Sequence, residues 1–286
     1  MYPDPRAVLT RAAPAPDATV RYGPGPEHLA DVRLPSAVDG PSRPLVVVIH
    51  GGFWRAEYDR THTSPLAADL AARGYPVAQL EYRRTGQEGG GWPGTLDDVV
   101  AGVAALPALV AGLFRSDTGA EASSGPAPVA PILLGHSAGG QLALHCARHL
   151  PDRVGGVLAL APVSDLAEAY RLDLDDGAVA ALLGGGPDEF PDRYAFSDPY
   201  GALGWPGAPE SPQGHSPSQV PCSTRTVIVH GTLDQQVPAW MSRRYAAAAG
   251  ANCQLIELSD CEHFGLIDPE SPPWIMVTQA LASLHP

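Results

Sequence analysis

The chain has 286 residues, among them 31 Gly and 31 Pro, and 44% of its residues are hydrophobic. That Gly and Pro content is too low for a collagenous or low-complexity chain, and the apolar fraction can fill the core of one large α/β domain. All 18 basic residues are Arg, so lysine chemistry such as a P-loop or a Schiff base is excluded, and the net charge of −13 disfavours nucleic acid as a partner.

The predicted elements begin with Thr19–Tyr22 and His28–Leu34, an antiparallel pair of strands joined by Gly-Pro-Gly-Pro. After this pair the chain alternates between two kinds of segment. Short apolar runs rich in β-branched residues, typical of strands covered on both faces, lie at Leu45–His50, Pro76–Tyr82, Val129–Leu134, Val154–Leu160, Thr226–His230 and Gln254–Leu258. Helical runs lie at Pro65–Arg73, Leu96–Phe114, Ala138–Leu150, Ala239–Ala249 and Pro273–Leu284. The alternation predicts an α/β fold with a mostly parallel sheet and helices on both faces.

Two segments interrupt this pattern. Asp117–Pro128 is rich in Gly, Ser, Pro and Ala and is expected to be a solvated loop. The segment 164–221 holds short helical pieces at Leu166–Tyr170 and Gly177–Leu183, followed by a Pro, Gly and Ser-rich stretch from Ser197. A long insertion in a compact domain is typical of a functional lid. We therefore expect a single domain over residues 1–286 with a small cap insertion at about 164–221.

The candidate nucleophile is Ser137. It stands in Gly135-His136-Ser137-Ala138-Gly139, between an apolar strand and a helical run. Small residues at such a turn let the backbone bend sharply, so that the Ser hydroxyl projects above the edge of the sheet. The amide of Ala138 at the start of the helix can stabilise an oxyanion. A packing turn rich in glycine is the alternative interpretation of this segment.

A candidate oxyanion loop, His50-Gly51-Gly52-Phe53-Trp54, follows the most apolar strand. The two glycines lack Cβ and let the loop present its amides close to a substrate oxygen. Gly51, Gly52 and Phe53, with Ala138, are the predicted oxyanion hole. His50 is expected to brace the loop through hydrogen bonds.

The candidate acid and base are Asp234 and His263. An activated serine needs a base that is oriented by a carboxylate, and in the fold that carries the Gly-x-Ser-x-Gly turn these follow the serine in the order acid, then His. Asp234 stands in a turn after the strand Thr226–His230, and His263 follows the next strand, which ends near Leu258. Both positions lie at the carboxyl edge of a parallel sheet, beside the nucleophile turn.

Other acidic residues are alternatives for the same role. Asp165 also follows a strand and could be the acid in a variant arrangement. Asp260 and Glu262 are close to His263 in sequence but are expected to be solvated loop charges. Asp97 and Asp98 open a helix, where carboxylates suit the positive end of the dipole.

A metal site is not expected. His145 and His149 lie four residues apart on one helix, a spacing that can place two imidazoles on a metal, but no third ligand is evident. Ordinary helix-face histidines are the preferred interpretation. Cys261 could affect the site if it were oxidised, although a packing role is preferred.

These motifs resemble those of the α/β-hydrolase superfamily. His50-Gly51-Gly52-Phe53-Trp54, Gly135-His136-Ser137-Ala138-Gly139 and His263-Phe264 resemble more narrowly its kynurenine formamidase and small carboxylesterase branch. The resemblance spans roughly residues 18–284. It implies an eight-stranded sheet and hydrolysis of an ester or an N-formyl amide without a cofactor.

The substrate is expected to be a small ester or amide. Residues that could line its pocket are Phe53, Trp54, Tyr58, Tyr82, Trp92, His136 and Trp205. A carboxylesterase is the first interpretation, because cleaving an ester with a good leaving group demands least of the pocket. An arylformamidase is the alternative, and a non-catalytic binding protein on a hydrolase scaffold is a further one.

Location and partners follow from what the sequence lacks. The four cysteines, at 146, 222, 253 and 261, form no Cys-x-x-Cys pair and have no zinc-site spacing. The N-terminus has neither a basic nor an apolar signal region, and we expect no apolar run that approaches the roughly 18 residues needed to span a bilayer. We expect a cytoplasmic protein with no metal, cofactor or membrane partner; the oligomeric state is not predicted.

Overall fold

The computed structural model of the chain describes residues 4–35, 43–118, 129–203 and 223–285. Its strands are β1 Ala18–Arg21, β2 Leu29–Arg33, β3 Val46–Ile49, β4 Val77–Leu80, β5 Ile132–His136, β6 Gly156–Leu160, β7 Thr226–Gly231 and β8 Cys253–Leu258. They form an 8-stranded sheet in the order β1-β2-β4-β3-β5-β6-β7-β8. The β1–β2 and β2–β4 pairs are antiparallel, and all other pairs are parallel. The predicted fold class is confirmed.

Helices cover both faces of this sheet. They are α1 Ser64–Ala72, α2 Gly94–Thr118, α3 Ala138–His149, α4 Leu166–Arg171, α5 Ala178–Leu183, α6 Pro191–Ser197, α7 Ala239–Ala249 and α8 Trp274–Ser283. Strand β3 shows the two layers most directly, because Val47 and Ile49 pack in one apolar cluster with α2, α3 and α7. Its alternate residues Val46 and Val48 pack in the other cluster, with α1 and α8. The continuous apolar run of β3 thus follows from burial on both faces.

Helix α2 corrects one expectation from the sequence. Its segment Gly94–Phe114 has a mean hydropathy of 1.8 over an 18-residue window, long and apolar enough by composition to cross a membrane. The expectation that no apolar run approaches that length is therefore wrong. In the structure 39% of the window is buried, and Leu96, Val99, Val103 and Leu106 are buried at helical spacing against the sheet. The apolar stripe serves the core.

The segment between β6 and β7 contains α4, α5 and α6 and a 3₁₀ turn at Gly201–Leu203. Helices α4 and α5 match the two predicted short helices, whereas α6 was not predicted. Residues 204–221 of the expected cap lie outside the described part of the chain, so the domain and cap boundaries stay predictions. The predicted loop at 117–128 begins inside α2, and its residues 119–128 are likewise outside the described part.

Candidate active site

The three predicted catalytic residues follow three strands at the carboxyl edge of the sheet. Ser137 directly follows β5, Asp234 lies in the turn after β7, and His263 lies after β8. Because β5, β7 and β8 run parallel to one another within the sheet, their carboxyl ends meet at one edge, where ligands of open α/β sheets bind.

The turn at Ser137 has a backbone that few side-chain-bearing residues adopt. Ser137 has φ 56° and ψ −119°, in the left-handed half of the Ramachandran map. A Cβ on Gly135 would overlap the carbonyl oxygen of Gly139, and one on Gly139 would overlap that of Ile49. The turn is fixed by a hydrogen bond from the Ser137 amide to the Leu160 carbonyl, 2.8 Å long. Glycine is therefore required on both sides of the serine.

The carboxylate of Asp234 lies 2.6 Å from Nδ1 of His263. Its other oxygen accepts hydrogen bonds from the amides of Gln236 and Val237, at 2.8 and 2.9 Å. Burial by itself would raise the pKa of Asp234, but hydrogen bonds from His230 and His263 outweigh it and hold this pKa below its usual range. The carboxylate is ionised and can hold His263 in the tautomer that carries its proton on Nδ1.

A second imidazole contacts the same carboxylate. Nε2 of His230, at the end of β7, lies 3.2 Å from Oδ2 of Asp234 and 3.0 Å from the carbonyl oxygen of Val237. Because both neighbours are acceptors, Nε2 carries the proton, and Nδ1 accepts from the Ser242 hydroxyl at 2.7 Å. Sequence reasoning placed His230 in a strand and gave it no role.

The predicted oxyanion loop is packed against the nucleophile turn. A Cβ on Gly51 would stand 2.9 Å from the His136 carbonyl oxygen and 3.0 Å from Cβ of Ser137. Three consecutive residues, Gly52, Phe53 and Trp54, have φ of 103°, 47° and 59°. Such conformations persist only where neighbouring contacts hold them, and this loop lies beside Ser137, where the donors of an oxyanion hole would be needed.

His50 braces this loop, as expected. Its Nδ1 lies 2.9 Å from the Gly51 carbonyl oxygen and its Nε2 lies 3.0 Å from Oε1 of Glu81. The ring also stacks on Tyr82, with centroids 4.3 Å apart. Burial favours a higher pKa for Glu81, but contacts with His50, Arg60 and other donors outweigh it and lower this pKa to about 2. The brace therefore ends on an ionised, buried carboxylate.

These residues surround a cavity of about 170 Å³. Its described lining residues are Arg6, Leu9, Gly52, Phe53, Tyr58, His62, His136, Ser137, Asp175, Gln236, His263 and Phe264. The candidate nucleophile, the candidate base and part of the predicted oxyanion loop thus line one space. Nε2 of His136 lies 3.1 Å from the carbonyl oxygen of His263. Burial lowers the pKa of His136 well below the usual range, so its ring is neutral.

The other predicted pocket residues lie elsewhere. Trp54 is fully buried, and its Nε1 donates to Oε1 of Gln141 at 3.1 Å. Trp92 packs edge-on against Phe196, with centroids 5.1 Å apart, and the described cavity lining includes neither tryptophan. Phe53 lines the cavity, whereas Trp54 packs in the apolar core, and the two rings meet edge to face with centroids 6.2 Å apart. Trp205 lies outside the described residues.

The alternative acids are occupied by structural contacts. Asp165 caps α4 through the Glu168 amide at 2.9 Å and pairs with Arg244 at 3.1 Å. Glu262 accepts from two backbone amides of the turn that follows it, at Phe264 and Gly265.

Two further acids were expected to suit the start of α2. Asp97 does lie in the first turn of that helix. Asp98 instead forms ion pairs with Arg83, at 2.6 Å, and His28, at 2.9 Å.

The paired histidines of α3 form an aromatic cluster. The rings of His145 and His149 are 4.2 Å apart, and both pack against Phe196. Within the described residues no group of three or more His, Cys, Asp or Glu side chains could hold a metal ion. Cys261 is buried, and burial raises the pKa of its thiol to about 12, which suits packing rather than reactivity.

Sequence reasoning missed several residues that line the cavity. Arg6 and Leu9 precede the first strand, and Asp175 lies in the segment between β6 and β7. His62 belongs to a 3₁₀ turn before α1, where burial lowers the pKa of its ring to about 4. Only Gln236, two residues after Asp234, and Phe264, directly after His263, stood beside a motif that could have indicated them.

Comparison with known proteins gives a family match and structural neighbours. Residues 46–271 match the model of the Alpha/beta hydrolase family. No curated protein matches the chain. A truncated carbohydrate esterase from gut microbiota superposes with a TM-score of 0.70 at 18% identity, covering 95% of this chain and 98% of that one.

Two more neighbours are similar. A bacterial heroin esterase has a TM-score of 0.62 at 21% identity, covering 90% of this chain and 78% of its own. Thermogutta terrifontis esterase 2, phosphoramylated by tabun, has a TM-score of 0.62 at 17% identity, covering 93% and 92%. At these identities the likeness is one of fold.

Proposed function

The chain belongs to the alpha/beta hydrolase family, and from this membership we propose that it is a serine esterase that cleaves a small ester through an acyl-enzyme intermediate. One observation carries the proposal. His263, whose Nδ1 lies 2.6 Å from the buried carboxylate of Asp234, lines the same cavity as Ser137. The esterase names of the structural neighbours agree with this proposal.

The mechanism follows from the roles that this geometry permits. Nε2 of His263 takes the proton of the Ser137 hydroxyl as Oγ attacks the ester carbonyl carbon. Asp234 holds the imidazole by Nδ1 and stabilises the imidazolium that forms. His263 then gives the proton to the leaving alcohol oxygen, and the acyl group stays on Oγ. In the second half of the reaction His263 takes a proton from water as that water attacks the acyl carbon. The bond between the acyl carbon and Oγ then breaks, His263 gives the proton to Oγ of Ser137, and the acid is released.

The oxyanion of both tetrahedral intermediates is assigned to the amides of Gly52, Phe53 and Ala138. Their loop and helix start are already held against each other at Gly51 and Ser137. Donors fixed before the reaction stabilise developing charge without reorganisation, and one such donor is typically worth about 3 kcal/mol.

The test is Ser137→Ala. Because only the serine oxygen can form the acyl-enzyme, we expect kcat/KM for 4-nitrophenyl acetate to fall at least about 1,000-fold. A fluorophosphonate should label Ser137 in the wild type and leave the variant unlabelled. Ser283→Ala, on α8, is the matched control and should keep activity and labelling. Wild-type turnover by Ser137→Ala, with an unchanged circular dichroism spectrum, would refute the serine mechanism.

An arylformamidase activity is the second candidate. It is favoured by the His-Gly-Gly-Phe-Trp loop at residues 50–54, which resembles that of the kynurenine formamidases. The wild type is assayed with N-formylkynurenine beside 4-nitrophenyl acetate. Ester turnover without formamide turnover removes this candidate. A protein that neither turns over an ester nor reacts with the phosphonate would instead be a binding protein on this scaffold.

A further inference from the structure

The N-terminal segment is fixed beside the cavity. It forms a 3₁₀ helix at Pro5–Thr10, in which Val8 is fully buried in the apolar cluster that also holds Leu266. Both nitrogens at the end of the Arg11 guanidinium bind the carboxylate of Asp268. A buried anchor and a bidentate ion pair hold the segment on the residues that follow His263.

Arg6 projects from this segment to the edge of the cavity. It lines the cavity together with Leu9, and its guanidinium lies over the ring of Phe264, 5.3 Å from the centroid. Phe264 is the residue after His263, and the two rings are 5.1 Å apart. Among the described residues no carboxylate lies within ion-pair distance of the Arg6 side chain.

The acidic groups around this edge are already engaged. Asp175, on the cavity wall, pairs with Arg55 at 2.6 Å. Asp4 accepts from the Arg6 amide at 2.9 Å, and Glu262 accepts from the amides that follow it. In a chain with a net charge of −13, Arg6 therefore presents to the cavity a positive charge with which no acid of the described residues pairs.

We propose that Arg6 recognises a carboxylate on the leaving group of the substrate, so that the preferred esters are those of anionic alcohols or phenols. The position supports the leaving group rather than the acyl group. His263 must protonate the departing oxygen, and Arg6 lies on the ring next to His263. This inference rests on the proposed esterase function and adds the charge of its substrate.

The experiment compares matched esters. The acetates of 3- and 4-hydroxybenzoate carry the carboxylate, and those of 3- and 4-hydroxybenzamide are neutral and of nearly the same shape. For each ester, kcat/KM of Arg6→Gln is divided by that of the wild type, so differences in leaving-group reactivity cancel. Because Arg6 is exposed, a charge-assisted contact should lower this ratio about fivefold for at least one benzoate and leave both benzamides within twofold.

Two further variants separate the charge of Arg6 from its shape and from the net charge of the protein. Arg6→Lys keeps the charge without the planar fork and should retain part of the preference for benzoate. Arg243→Gln, on the exposed face of α7, changes the net charge by the same amount as Arg6→Gln. It should change kcat/KM by the same factor for all four esters. Equal losses for benzoates and benzamides in Arg6→Gln, or none, would overturn the inference while the esterase function stands. A wild type that hydrolyses none of the esters and resists the phosphonate would overturn both.

Discussion

Two imidazoles share the carboxylate of Asp234, and at the scale of single residues this is the least expected feature of the site. His263 is the partner that the proposed mechanism uses. His230 approaches the same oxygen from inside the fold, at 3.2 Å, and its other nitrogen is held by Ser242. A group that fixes a catalytic carboxylate acts on the reaction through that carboxylate. We therefore expect His230 to be a positioning residue.

This expectation can be tested with a pair of substitutions. His230→Leu removes the donor to Asp234 and should lower kcat for 4-nitrophenyl acetate about tenfold, with KM little changed, because the substrate is not touched. His230→Gln places an amide NH₂ near the position of Nε2 and should restore most of kcat. If the two variants lose kcat equally while their stabilities to urea match the wild type, the hydrogen bond to Asp234 has no effect on the reaction.

The sequence is most informative where a role depends on a local turn. Ser137 was predicted from the glycines around it, because a sharp turn between a strand and a helix leaves a direct trace in composition. Arg6 and His62 left no such trace. They reach the cavity from segments far from Ser137 in the chain, and nothing near them in sequence differs from ordinary surface or turn residues. His230 was missed because a His at the end of an apolar strand is usual.

At the scale of elements, Arg55 links the oxyanion loop to the segment between β6 and β7. Directly after Trp54, it binds Oδ2 of Asp175 at 2.6 Å and the carbonyl oxygens of Asp175 and Asp176. The loop it holds has φ of 52°, 51° and 47° at Asp173, Asp175 and Asp176. Such conformations persist only where neighbouring contacts hold them. Arg55 supplies such contacts to Asp175 and Asp176.

Arg55→Gln should loosen this loop. Because Asp175 lines the cavity, we expect KM to rise about three- to tenfold, while kcat stays within a few-fold of the wild-type value. A rise of this size corresponds to the loss of two or three partly exposed hydrogen bonds. Amide hydrogen exchange should be faster at residues 173–177 and unchanged in β5. Arg171→Gln, which removes an exposed ion pair with Glu168 on α4, is the control. Unchanged exchange at 173–177 would show that the loop does not depend on Arg55.

Elements were predicted best where burial on both faces sets the composition. The parallel strands read as continuous β-branched runs for that reason, and β3 was found almost to its ends. Helix α6 was missed because its seven residues, Pro191–Ser197, are too few for a periodic pattern. Helix α2 was misjudged in a different way. Its buried stripe and its apolar solvent side together raise its hydropathy, and composition alone does not tell a core helix from a spanning one.

At the scale of the whole molecule, the ionisable groups buried in the fold determine how stability depends on pH. Burial lowers the pKa of His62 to about 4 and those of His136 and His145 well below the usual range. In the unfolded chain these rings titrate near 6.5. Below that pH the unfolded state binds protons that the folded state does not. The contribution of these three histidines to the free energy of unfolding is therefore complete above pH 6.5 and is lost as the pH falls.

One buried carboxyl acts in the opposite direction. Asp198 is fully enclosed, and burial raises its pKa from the ordinary 3.8 to about 7. Between these values the folded state holds a proton that the unfolded state has released. The contribution of Asp198 to the free energy of unfolding therefore decreases as the pH rises. Because three histidines oppose one carboxyl, these four groups together make the unfolded state bind more protons than the folded state at pH 5.5, so stability decreases as the pH falls.

We therefore expect the free energy of unfolding to fall steeply between pH 6.5 and 4.5, measured by urea denaturation at steps of half a unit. Two variants should change that slope with opposite signs. His145→Leu replaces a buried ring of α3 by an apolar side chain and should make the slope shallower by about one proton. Asp198→Asn removes the opposing group and should make it steeper, whatever it costs in absolute stability. A slope that both variants change in the same direction would show that these groups do not set the acid limit of the fold.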